Sequence, residues 1–157
     1  MYTVTPALWP ALVAFVALAG PLLITDARSF RLPLPLNLGL LAAAIVLLPI
    51  ASIWLGVSHL VMAMITASIL TLLLLVVFVI ARGGLGFGDV ILIAGLGLYG
   101  GYVSPLLFLI GLWLGTLGTL IWALVRRRRG NPGHTPFGPG LILGTAAAML
   151  IPLPTAA

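Results

Sequence analysis

The chain contains no cysteine, no lysine and no glutamate, and only two of its 157 residues, Asp26 and Asp89, carry a carboxylate. Without cysteine there is no disulfide, no thiolate metal ligand and no cysteine nucleophile, and the redox compartment leaves no mark on the sequence. Charged residues make up 6% of the chain, against roughly 25% in an ordinary soluble domain. That is too few to cover a surface facing water. Hydrophobic residues supply 62%, and lipid is the solvent that fits such a chain.

Scarcity of charge also narrows the partners. The net charge of +5 comes from seven arginines and two aspartates. In a soluble protein that balance raises the question of nucleic acid, but here the charges are few and local, with Arg126 to Arg129 in one block between apolar stretches. A basic block beside a membrane span reads as a topology signal and an anchor to anionic headgroups. Membrane lipid is therefore the expected partner, and nucleic acid is not. The N-terminal stretch MYTVTPALWP has no basic region, so Ala7 to Ile24 reads as a permanent span rather than a signal peptide.

A spanning helix takes about 20 mainly apolar residues. Six segments qualify: 7–25, 36–56, 59–80, 90–102, 104–125 and 138–154. The fourth is short and carries Gly95, Gly97, Gly100 and Gly101. It is expected to be tilted, partly unwound, or packed closely on its neighbours through its small residues. No internal repeat or linker divides the chain, so residues 1–157 read as one all-α membrane domain. Arginine near span ends marks cytoplasmic loops. With both termini outside, Arg28 and Arg31, then Arg82, then Arg126 to Arg129 all fall inside. Trp9, Trp54, Tyr99 and Tyr102 then fall near the outer interface and Trp122 near the inner one, as interfacial aromatics prefer.

In this topology Asp26 follows the first span and Asp89 precedes the fourth, so both acids meet the cytoplasmic face. Ionisable residues at a membrane are costly and usually carry function or a paired partner. One reading is structural, with Asp26 paired to Arg28 or Arg31 and Asp89 to Arg82. The glycines around Asp89, namely Gly83, Gly84, Gly86 and Gly88, favour another. They permit close backbone approach, as a loop accepting an extended peptide beside a carboxylate would use. Two aspartates in one site share a proton and titrate as a pair. One then activates water against a peptide carbonyl while the other donates a proton. That reaction needs no metal or cofactor, and none is expected.

Three landmarks in order carry a family resemblance. Asp26 is followed by a basic stretch and Leu32-Pro33; Gly86-Phe87-Gly88-Asp89 forms a GxGD motif opening a membrane helix; Pro136-Phe137-Gly138-Pro139 precedes the last segment after a basic loop. The chain resembles the type IV prepilin peptidases, membrane aspartyl proteases of the GxGD group, over nearly its whole length. The resemblance implies that Asp26 and Asp89 are the catalytic dyad. Gly86, Gly88, Pro136, Phe137, Gly138 and Pro139 would shape the site or touch substrate. It also implies a substrate, the basic leader of a prepilin or pseudopilin cut after a glycine, and a home in a bacterial or archaeal cytoplasmic membrane. The chain is similar to the short, cleavage-only forms linked to Flp-type pili, so methyltransferase activity is not expected. It departs from the family pattern at Ile91, where lysine is frequent, and at Leu34, where asparagine is frequent; the nearby Asn37 does not align with that position.

Two rival functions remain at this stage: a non-catalytic scaffold of the same shape, and a small proton or cation transporter component. Self-association is left open. His59, expected in an outer loop, and His134, in the last inner loop, have no companions that would make either a metal ligand. Phe137 is expected to be buried, and Trp113, mid-span, to pack inside.

Overall fold

In lipid every backbone N–H and C=O must be satisfied within the chain, and long runs of Leu, Ala, Val and Ile do this as helices. The computed structural model describes residues 6–29, 32–80, 86–129 and 137–150. Arg31, Arg82, Gly83, Gly84, His134 and Pro136, all singled out in sequence, lie outside the described residues, as does the tail 151–154 of the sixth segment. A 3-10 turn, Pro6–Leu8, leads into α1 (Trp9–Ser29). Then follow α2 (Leu34–Leu55), α3 (Val57–Ile80), α4 (Phe87–Val103), α5 (Pro105–Arg128) and α6 (Gly138–Leu150). No strand occurs among the described residues.

Four helices, α1, α2, α3 and α5, are long and apolar enough to cross a bilayer. The other two are also apolar, with 17 residues in α4 and 13 in α6. At 1.5 Å per residue they reach about 26 and about 20 Å, short of a hydrocarbon core of about 30 Å.

Several boundaries differ from the sequence reading. The first span does not stop before Asp26, because α1 continues to Ser29 and carries the carboxylate on the helix itself. Thr25 and Ser29 add to that last turn by donating their hydroxyls to the carbonyls of Pro21 (2.8 Å) and Thr25 (2.7 Å). The expected break between the segments 36–56 and 59–80 shrinks to Gly56, whose φ of +100° lets α2 hand over to α3 in one residue, a conformation that glycine adopts without penalty. His59 therefore sits on α3, not in a loop, with Nδ1 3.1 Å from the Tyr102 carbonyl. Ser104 alone separates α4 from α5, caps α5 by accepting from the Leu107 amide, and is followed by Pro105 at the first helical position, where proline's missing N–H costs nothing. Beyond 125, Arg126, Arg127 and Arg128 extend α5 by most of a turn, where positive charge suits the helix C-terminus.

The central element is α4. Ten of its residues are buried, from Val90 to Tyr102, as expected for a helix apolar on every side. Of the three alternatives for this glycine-rich stretch, close packing of an intact helix is the one observed. A Cβ at Gly97 would stand 2.8 Å from the Ala67 Cα of α3, and one at Gly101 would stand 2.8 Å from the Thr66 Cβ. Gly111 of α5 meets Gly144 of α6 backbone to backbone in the same way. Between lipid-solvated helices this close approach supplies van der Waals contact that burial from water cannot. The periphery is apolar: α3 has three buried residues and α5 two. Trp113 is 68% exposed, so it faces outward rather than packing inside as expected.

Candidate active site

The buried face of α2, Asn37, Leu40, Ala44, Leu48 and Ala51, is apolar except near its ends. Leu40 lies against Gly95 of α4. At one end Ser52 lies 3.0 Å from the Tyr102 hydroxyl, hydroxyl to hydroxyl. At the other, Asn37 Nδ2 donates to the Gly88 carbonyl at 2.7 Å. α2 is therefore pinned to α4 at both ends, and the second pin holds the residue preceding Asp89.

Asp89 stands in the first turn of α4, ahead of the apolar run that begins at Val90. Burial and, second, the negative charge of Asp26 push its carboxyl up to about 6, with a backbone hydrogen bond from Gly86 acting the other way. The two carboxylates, from different helices, thus share one electrostatic site. Asp26 is buried near the end of α1. Its Oδ2 accepts the backbone N–H of Gly138 at 2.9 Å. That amide belongs to the first turn of α6, whose unpaired N–H groups and dipole favour a negative charge.

Two glycines and a leucine explain how the pieces fit. A Cβ on Gly138 would stand 2.6 Å from Asp26 Oδ2, so a side chain there would displace the carboxylate. A Cβ on Gly88 would meet Leu32 at 3.2 Å, and one on Gly138 would meet Leu32 at 3.4 Å. Leu32, between α1 and α2, is therefore the apolar wedge between the two aspartate-bearing neighbourhoods. Gly86 lies beside Asp89, with a hypothetical Cβ 3.3 Å from Oδ2. Phe137 is partly buried against the core and Pro139 is half-buried just inside α6.

Of the residues singled out in sequence, Asp26, Asp89, Gly86, Gly88 and Gly138 gather at one end of the bundle; Phe137 and Pro139 flank Gly138. Asn37 is the site residue that the sequence alone does not single out, because it falls out of register with the asparagine frequent in the family. Its one sequence signal is that it is the sole side-chain amide in the second span. Among the described residues, no three acidic or histidine side chains gather to hold a metal ion. Chemically, two carboxyls in one site, one of them retaining its proton to about pH 6, could serve as a general acid beside a general base.

Comparison with known sequences adds one finding. The profile of the type IV leader peptidase family matches residues 10–125, a stretch that holds both aspartates. No curated protein and no solved structure is significantly similar to the chain.

Proposed function

The chain belongs to the type IV leader peptidase family, and from that membership we propose that it is an aspartyl endopeptidase removing the leader of prepilin-like proteins at the cytoplasmic membrane face. The family supports a peptidase with leader-bearing substrates, and the apolar helices fit a multi-pass membrane protein. The single observation that carries the finer reading is the shared site of Asp26 and Asp89, the only two acids in the chain. A proton or cation carrier would be expected to hold an acid near mid-membrane. Both acids here lie at helix ends.

The roles follow from the asymmetry between the two. Asp26, holding the Gly138 amide, is the ionised member and takes a proton from the bound water as it attacks the scissile carbonyl. Asp89 holds the shared proton, donates it to the carbonyl oxygen, and assists departure of the amine. Six spans with both termini outside would place this end of the bundle inside a bacterial or archaeal cytoplasmic membrane. The arginines Arg28 and Arg126 to Arg129 would then face anionic lipid there. The substrate is a Flp-type prepilin or pseudopilin, and no methyl transfer accompanies cleavage.

The test is co-expression with precursors that carry a basic leader, a glycine at the boundary and an apolar helix, read as precursor shortening on a gel. Wild type converts the precursor, whereas Asp26→Asn and Asp89→Asn, present in the membrane at equal level, do not. Conversion that survives both substitutions would sink the mechanism. A folded wild-type protein that converts no precursor would point to the scaffold reading.

A further inference from the structure

Asn37 is the best-buried polar side chain at this end of the bundle, at 1% exposure, and it uses little of its bonding capacity. Nδ2 reaches the Gly88 carbonyl, while Oδ1, fully enclosed, has no partner among the described residues. A buried amide oxygen left unpaired is a standing cost. In a helix the Gly88 carbonyl also serves the amide four residues on, so the Asn37 bond is an addition to that carbonyl. On stability grounds alone a leucine, like its neighbours Leu36 and Leu38, would serve this position at least as well.

What the amide does achieve is local. It fixes the carbonyl of Gly88, whose missing side chain leaves room for Leu32 and for Asn37 Nδ2. The residue attached to that carbonyl is Asp89. We propose that Asn37 is a positioning residue for Asp89: by holding Gly88 from α2, it sets the direction in which the Asp89 carboxyl enters the site. This rests on the reading that Asp89 is catalytic. Among the described residues, the titratable group tied to Asn37 is Asp89 on α4, next to Gly88, and Asp26 on α1 shares the site with Asp89. Tyr99 and Tyr102 lie about 15–20 Å further along α4 by helical rise, with His59 beside Tyr102, and Arg28 is exposed at the end of α1.

The experiment uses the full chain in detergent with a purified leader-bearing precursor and compares wild type, Asp89→Asn, Asn37→Leu and Asn37→Asp. Asn37→Leu is expected to keep the wild-type thermal midpoint, or raise it, and to keep KM. Its kcat is expected to fall on the order of 10- to 100-fold, as small misplacements of catalytic groups do. Asn37→Asp supplies a donor to the Gly88 carbonyl only while its carboxyl is protonated. Its rate relative to wild type should therefore climb as pH is lowered, whereas the Asn37→Leu ratio stays flat. The proposal is overturned if Asn37→Leu cleaves at the wild-type rate, if it loses stability and activity together, or if the Asn37→Asp ratio is independent of pH. Full cleavage by Asp89→Asn would instead overturn the underlying reading of Asp89, so the two failures are told apart.

Discussion

Replacing Gly138 with alanine tests the least obvious contact in the site. The new methyl would stand 2.6 Å from Asp26 Oδ2, 3.3 Å from its Cγ and 3.4 Å from Leu32 Cδ2. Two of these atoms belong to one carboxylate on a rigid helix, so either the carboxyl rotates away or α6 retreats. Both outcomes break the 2.9 Å hydrogen bond from the Gly138 amide. A hydrogen bond to a charged group is worth about 1.5–3 kcal/mol. If the bond is felt in full by the ionised base of the reaction, cleavage falls about ten- to a hundredfold. Initial rates of precursor conversion in detergent would measure this, with Gly118→Ala as the control. Gly118 also belongs to the helix pair α5 and α6, but a Cβ there meets nothing within 4 Å, so its rate and thermal midpoint should match wild type. A folded Gly138→Ala protein that cleaves at the wild-type rate would refute the idea that this amide supports Asp26.

Further expectations rest on the same geometry. If Asp89 carries the shared proton as proposed, burial and the Asp26 charge having pushed its carboxyl up to about 6, the cleavage rate should fall as pH is raised through and beyond that value; a pH–rate profile that keeps climbing from 6 to 9 would contradict the assignment. The stability effect has the opposite sense to that of a salt-bridged acid. A folded-state value above the unfolded one means that the unfolded chain ionises first as pH rises from about 4 to about 6. Stability from this group is thus full below that window and lost across it. Asp89→Asn, which has no charge to bury, should accordingly unfold no earlier than wild type at pH 7.5 in a thermal melt. Gly97→Ala drives a methyl to 2.8 Å from the Ala67 Cα, a backbone atom that cannot swing aside. It should cost about 1–3 kcal/mol, as overpacking does, and lower the thermal midpoint without a specific effect on KM.

Much of the architecture was legible because lipid imposes a simple rule on composition. Six apolar runs became six helices, and arginine clusters and glycine-rich stretches marked their ends. What stayed hidden was set by contacts between segments remote in sequence. Nothing local announces that the Gly138 amide will meet a carboxylate 112 positions earlier, or that Asn37 will bond Gly88 across 51 positions. Boundaries failed where polarity was mistaken for a helix stop. Asp26 looks like a terminator in a hydropathy pattern, yet Thr25 and Ser29 return their hydroxyls to the backbone and the helix runs on. Trp113 misled because a bulky aromatic within an apolar run signals burial in water-soluble proteins, whereas an outward-facing ring is at home beside acyl chains. The glycines of α4 had three readings in sequence, and only the positions of Ala67 and Thr66 on α3 select among them.

The Gly138 contact bears on how such a protein comes into being. A ribosome delivers α1 first, α4 well afterwards and α6 last, so the two acids enter the membrane long before the amide that steadies one of them. Through most of synthesis the nascent chain holds both carboxylates without the third component, and Asp26 gains that support only when α6 inserts.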